Sequence, residues 1–149
     1  MDDCIYDFKY YNKPYFYRFF GNSLVAYMDD IDYKGFDFIL SVPLHRSKMI
    51  KRGFNQSELL AKYVAGKLNI PYVNALKRIK KTTKQSSQSK LDRQKNLLNA
   101  FRVKNGANIK NSSVLLVDDV YTTGSTADEC SKALLYFGVK KVFVITIAR

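Results

Sequence analysis

The stretch Val114-Leu115-Leu116-Val117-Asp118-Asp119-Val120-Tyr121-Thr122-Thr123-Gly124-Ser125-Thr126-Ala127 constrains the chain more than any other. Its first four residues are apolar without polar alternation, the pattern of a strand buried on both faces of a parallel sheet. The strand ends in two adjacent carboxylates. A short loop of hydroxyl residues around one glycine follows, and then a helix begins. In an open α/β sheet, ligands bind beyond the carboxyl ends of the strands. Residues Thr122, Thr123, Gly124, Ser125 and Thr126 there offer backbone N–H groups and hydroxyls at a helix N-terminus, which suits a phosphate. Gly124 lets the backbone approach the anion closely. Two acids beside a phosphate repel it, so Asp118 and Asp119 make sense as acceptors for sugar hydroxyls or as holders of a divalent cation. The plainer alternative is that Asp118, Asp119 and Thr123 cap the next helix. A cap needs one such residue, and this loop has two acids and four small hydroxyl side chains.

The rest of the chain supplies the other layers. Phe36–Val42, Pro71–Val73, Val114–Val117 and Lys141–Ile147 read as strands, the last two as fully buried ones. Asn55, followed by Glu58, resembles a capping box opening a helix over Ser57–Leu68, with Leu59, Leu60, Tyr63 and Val64 as its apolar face. Ala127, Cys130, Ala133, Leu134 and Phe137 form a second stripe closed by Gly138. Cys130 sits on that stripe and reads as a small packing residue. Strands alternating with helices predict an α/β fold, an open and mostly parallel sheet flanked by helices.

With 149 residues, 46% hydrophobic and 26% charged, the chain suits one domain with a real core. It has no apolar stretch of membrane-spanning length, and Met1-Asp2-Asp3-Cys4 does not read as a secretory signal. Cys4 and Cys130 are too few for a disulfide framework or a four-cysteine zinc site, so reduced thiols and a cytoplasmic location are expected.

Charge is the other pointer to function. The chain carries +12 overall, but residues 1–40 hold seven acids and four bases. The remaining residues hold 21 bases against six acids, a net of +15. Such a field attracts polyanions, although it also solubilises. Between Lys77 and Lys95 stand eight bases and one acid, read as a mobile basic loop leading into a short helix. Tyr6, Phe8, Tyr10, Tyr11, Tyr15, Phe16, Tyr17, Phe19 and Phe20 crowd the start of the chain. They read as an edge strand and a helix covering a core in preference to a base-stacking surface.

The Val114–Ala127 stretch resembles the phosphoribosyl pyrophosphate (PRPP) signature of type I phosphoribosyltransferases. Val42-Pro43-Leu44-His45-Arg46, Lys51-Arg52-Gly53-Phe54-Asn55-Gln56-Ser57-Glu58-Leu59-Leu60-Ala61, the segment from Gln85 to Asn96 with Arg93, Ala100–Val103 and Thr146–Arg149 resemble the ComF family of competence proteins. The match spans residues 36–149, with residues 1–35 as an aromatic-rich lead-in or hood. The resemblance implies a type I phosphoribosyltransferase-like fold. It further implies that Asp118 and Asp119 bind the ribose hydroxyls and Thr122–Thr126 the 5-phosphate. Pro43, Leu44, His45 and Arg46 would lie at the pyrophosphate, and Lys80, Lys81, Lys84 and Gln85 would belong to a flap. Magnesium would come held mainly by the ligand, not by a protein cage.

Two features depart from the family. ComF proteins commonly begin with a four-cysteine zinc module, and no Cys-x-x-Cys pair exists here, so no zinc is expected. Purine-salvage phosphoribosyltransferases carry an aspartate where Thr122 stands, and a threonine is no general base at neutral pH. The donor site is therefore supported while the acceptor is not. Two functions follow as expectations. One is glycosyl transfer from PRPP with release of pyrophosphate. The other is single-stranded DNA binding during natural transformation, beside a DNA-uptake helicase, with Lys48, Lys51, Arg52 and Arg93 as further contacts. His45, the only histidine, is open between a pyrophosphate contact and an ordinary turn residue. Arg46, Lys51 and Arg52 are likewise open between anion contacts and surface charge.

Overall fold

A computed structural model describes residues 16–31, 35–80, 99–121 and 123–148. Its centre is β4 (Ser113–Val120), flanked in parallel by β1 (Phe38–Ser41) on one side and β5 (Lys141–Ala148) on the other. Phe38 pairs with Val114 and Ser41 with Val117, while Ser113 pairs with Lys141 and Val120 with Ala148. Because side chains alternate along a strand, β4 feeds two cores at once. Leu115 and Val117 join Phe20, Leu24 and Met28 of α1 (Phe16–Asp30) and Leu60, Ala61 and Val64 of α3 (Gln56–Leu68). Val114 and Leu116 face Cys130 and Leu134 of α4 (Ser125–Phe137), together with Leu76 and Phe101. The α/β class and the helix–sheet–helix layering are as the sequence predicts. Cys130 is fully buried in the second core, the packing role expected of it.

The predicted stripe of α4 holds, while that of α3 holds at Leu60, Val64 and Leu68 but takes in Ala61 and Ala65 in place of Leu59 and Tyr63, which are only half-buried. Asn55 caps α3 by accepting the Ser57 N–H, and Glu58, its expected partner in a capping box, instead pairs with Lys62 at 2.7 Å. Gly138 ends α4 in the left-handed conformation, its N–H returning to Leu134 and Leu135. In the described part of the aromatic lead-in, Phe16, Tyr17 and Phe20 pack on the core, whereas Phe19 is exposed. Phe20 is buried, Phe16 packs on the first core, and the Tyr17 ring meets Tyr63 edge-on with centroids 5.6 Å apart. Gly21 makes that contact feasible, since a Cβ there would collide with the Tyr63 ring. Tyr6–Tyr15 lie outside the described residues.

Four expectations are corrected. β1 begins at Phe38, not Phe36, because the chain enters through Asp37, whose carboxylate accepts the Ser113 N–H at 2.7 Å. Pro71–Val73 shrinks to a single parallel bridge between Ile39 and Tyr72. β5 is not buried on both faces: Ile145 alone is fully buried, since β5 is the outer strand of this sheet among the described residues. Finally, Lys77 and Arg78 are not loop. They belong to β2 (Leu76–Arg78), which pairs antiparallel with β3 (Phe101–Val103), Leu76 opposite Val103 and Arg78 opposite Phe101. Leu76 and Phe101 are buried in the second core, which anchors this ribbon against the sheet. The remainder of the expected loop, residues 81–95 with Lys81, Lys84, Gln85 and Arg93, lies outside the described residues, whereas Lys80, two residues past β2, is exposed. No helix among the described residues is long and apolar enough to cross a membrane.

Candidate functional site

Three segments meet at the carboxyl ends of β1 and β4. The Val42 N–H donates to Val117 O at 3.0 Å, which sets the turn after β1 directly beside the residue preceding Asp118. The third segment is the start of α3. Asn55 donates its side-chain amide to Val42 O at 2.9 Å, and Ser57 Oγ donates to Asp118 Oδ1 at 2.9 Å. Asn55, Ser57 and Asp118 are all buried. The sequence flagged Asn55 as a helix cap and placed both Asn55 and Ser57 in the ComF-like segment, but gave neither a role at the site. A buried polar pair at the foot of a helix is a tertiary fact that leaves no periodic trace.

Asp118 and Asp119 sit differently. Asp118 is nearly enclosed, and its Oδ1 also accepts the Asp119 N–H at 2.9 Å, while Asp119 Oδ1 accepts the Val120 N–H at 2.8 Å. Burial raises the Asp118 carboxyl from its ordinary value to about 7, the neighbouring Asp119 charge adds to the rise, and the Ser57 hydroxyl opposes it. Arg78 of β2 lies within electrostatic reach of Asp118, and its own pKa is lowered by burial. Its guanidinium stacks over the Phe101 ring at 5.4 Å. Arg78 thus approaches the carboxylates from the ribbon side, which the reading of residues 77–95 as loop did not foresee.

The loop after β4 does not cap α4 in the way the plainer alternative expected. Gly124, at φ 76, is the N-cap of α4, and no side chain makes a cap hydrogen bond there. A Cβ on Gly124 would strike the Tyr121 hydroxyl, so both the dihedral and the space demand glycine. Thr123 Oγ1 and Ser125 Oγ bond each other at 2.9 Å. Capping therefore does not account for the acids and hydroxyls. Asp118, Val120, Tyr121, Gly124, Thr126 and Ala127 together line a shallow cleft above the helix N-terminus. Thr122 lies outside the described residues. Roomier grooves exist, about 760 Å³ between β3 and α4 and about 430 Å³ between α1 and β5, but neither holds this set of acids and hydroxyls.

Along the turn after β1, Pro43, Leu44 and His45 are half-buried. His45 Nδ1 accepts the Ser47 N–H at 3.2 Å and so caps the seven-residue α2 (Arg46–Arg52). That is a third role, which neither reading of His45 included. Accepting at Nδ1 places the proton of the neutral ring on Nε2. Arg46 and Lys51 are exposed on α2, whereas Lys48 and Arg52 are half-buried, Arg52 donating to Gln56 Oε1 at 3.2 Å.

Comparison with known proteins fits this geometry. The phosphoribosyl transferase domain family matches residues 51–149. Competence protein F of Haemophilus influenzae is 42% identical over 113 residues, covering 74% of this chain and 49% of that protein. The chain belongs to the ComF family. Another relative, the DNA utilization protein YhgH of Escherichia coli O157:H7, is 38% identical over 114 residues, covering 76% of this chain and 49% of that one. The chain thus spans about half the length of the curated relatives it matches. Among solved structures, adenine phosphoribosyltransferase from Saccharomyces cerevisiae, complexed with an imino-altritol bisphosphate and adenine, superposes with a TM-score of 0.60. That likeness covers 93% of this chain and 70% of the enzyme at 13% identity, and so speaks for the fold alone. The type I phosphoribosyltransferase-like fold expected of a ComF protein is the fold found.

Proposed function

We propose that this ComF-family chain binds PRPP, or another ribose 5-phosphate compound, at the carboxyl ends of β1 and β4 and transfers the phosphoribosyl group with release of pyrophosphate. The observation that carries the reading is the loop at Asp118–Thr126. It joins two carboxylates to hydroxyls and N–H groups at a helix N-terminus, and side-chain capping does not consume them. In this reading Asp118 and Asp119 accept the ribose hydroxyl hydrogens, and Thr123–Thr126, with Thr122, receive the 5-phosphate. The turn at Pro43–Arg46 takes the pyrophosphate, and the basic groups of α2 stabilise its departing charge. Among the described residues no group of three His, Cys, Asp or Glu side chains could hold a metal. Two carboxylates beside a pyrophosphate do suit magnesium, which keeps waters and takes ligand oxygens. Magnesium would supply charge neutralisation on the leaving pyrophosphate, with Asp118 and Asp119 at its edge.

Ligand binding raises stability by mass action. At PRPP a hundred-fold above its Kd, with magnesium, the melting temperature should rise by about 5–10 °C. The double variant Asp118→Asn/Asp119→Asn should stay folded and lose that rise. A wild type with no shift at millimolar PRPP contradicts the reading.

A second reading rests on the +15 net charge of residues 41–149. Here the domain binds single-stranded DNA as an accessory in DNA utilization, alongside a helicase. The affinity for a labelled oligonucleotide, read from anisotropy, should then fall steeply and linearly in log–log form with salt. Reversing Lys80, Lys81 and Lys84 to Glu should remove most of the binding, and PRPP should compete in part. Binding untouched by the reversal places DNA elsewhere, and no binding at low salt leaves the charge as a solubility feature.

A further inference from the structure

The start of α3 is tied to both sides of the candidate site. Asn55 spans from its own helix cap to Val42 O at 2.9 Å, and two residues later Ser57 Oγ donates to Asp118 Oδ1 at 2.9 Å. Ser57 and Asp118 are only 4% and 8% exposed, so this bond does not compete with bulk water. Both hydrogen bonds described at Asp118, from Ser57 Oγ and from the Asp119 N–H, fall on Oδ1. They fix the rotation of the carboxylate. Oδ2 carries neither bond, and Asp118 lines the cleft beside Gly124 and Thr126, so Oδ2 is the atom left for a ligand.

We propose that Ser57 is a positioning residue of the donor site, holding Asp118 Oδ1 so that Oδ2 is presented to the ribose hydroxyls of a phosphoribosyl ligand. The proposal rests on the donor-site reading above and adds to it a residue outside the Asp118–Thr126 loop. Charge considerations agree. From its own strand Asp118 faces Asp119, from β2 the Arg78 guanidinium, and from α4 the Cys130 thiol, which burial and the Asp118 charge both push up. From α3 it faces Ser57, a neutral donor that favours the ionised carboxylate, the better acceptor for a hydroxyl. A hydroxyl thus does two things here: it sets an angle, and it keeps the group charged near neutral pH.

The test uses Ser57→Ala, with Ser57→Thr to restore the hydroxyl, and melting curves to verify folding. In the ligand-free protein the Asp118 carboxyl resonance, assigned by its loss in Asp118→Asn, is followed with pH. Its midpoint should rise by roughly one pH unit in Ser57→Ala, the scale of a hydrogen bond to a charged group, and return in Ser57→Thr. Calorimetry with ribose 5-phosphate should show about a five-fold loss of affinity for Ser57→Ala at pH 7, shrinking to within about two-fold at pH 9 where both proteins are ionised. A midpoint unmoved by Ser57→Ala overturns the proposal. So does an affinity loss in Ser57→Ala that Ser57→Thr does not restore, which is the mark of a merely structural role. If the wild type binds ribose 5-phosphate and Ser57→Ala behaves like it, the Ser57 proposal alone falls. If the wild type binds no ribose 5-phosphate or PRPP at either pH, the donor-site reading falls and takes the proposal with it.

Discussion

β4 and β5 are written in nearly the same letters, yet they lead different lives in the sheet. Val114, Leu115, Leu116 and Val117 are at most 1% exposed, whereas Phe143 and Val144 of β5 are 36% and 39% exposed. Both strands run parallel and pair with each other. The difference is what stands on the other side: β4 has β1, and among the described residues the β1–β4–β5 sheet ends at β5. Enclosure of β4 also reaches its last residues, and there it becomes chemistry. A carboxylate carried at the end of a fully buried strand is partly desolvated and its pKa climbs, as at Asp118. The outer strand has no such group, Thr146 being its only uncharged polar side chain. Two acids at its end, and the burial that reaches them, separate the strand that delivers a tuned acid from one that only scaffolds.

The largest effect should separate the two strands directly. Leu116→Ala removes a fully buried side chain between β4 and α4 and should cost about 2–5 kcal/mol, read from urea unfolding. Val144→Ala on β5 should cost under about 1 kcal/mol. Equal losses would contradict the contrast in burial.

Asp118→Asn sharpens the comparison from the chemical side. The folded-state carboxyl titrates near 7, above its unfolded value, so the folded protein binds more protons between the two values. Stability is therefore lost as pH rises through that window. Asn keeps an oxygen for Ser57 and the Asp119 N–H but carries no charge. It should raise stability at pH 8 by up to about 4 kcal/mol, and much less at pH 5, while abolishing ligand binding. A destabilised Asp118→Asn protein at pH 8 would mean that the carboxylate is not held against its desolvation.

Removing the brace at the foot of α3 should be milder. Asn55→Ala deletes a helix cap and a bond to Val42 O, and should cost about 1–3 kcal/mol. Its signature is a weakened affinity for pyrophosphate in calorimetry, since the turn after β1 loses its anchor.

The legible parts of this chain are those whose signals are local. Val114–Val117 could be read because four apolar residues in a row, ended by two acids, fit few structures. The stripes of α3 and α4 could be read from their periodicity. What stayed hidden depends on partners far along the chain. Nothing within Lys141–Ile147 says that β5 is the outer strand among the described residues. Lys77 and Arg78 look like loop until Phe101 and Arg102 arrive to pair with them. Pro71–Val73 has strand composition, but it pairs with β1 at Ile39 alone, through Pro71 O and the Val73 N–H. The same holds at the site. Asp118, Asp119 and Gly124 announce themselves by type and spacing, whereas Ser57 matters only because folding brings it to Asp118.

The most direct test of the central claim is a crystal structure of the protein soaked with PRPP and magnesium. The account predicts ribose hydroxyls against Asp118 and Asp119, the 5-phosphate on the N–H groups and hydroxyls of Thr123–Thr126, and pyrophosphate beside Pro43–Arg46. Ligand found instead in the groove between β3 and α4, or no ligand at millimolar concentration with that loop open to solvent, would contradict it.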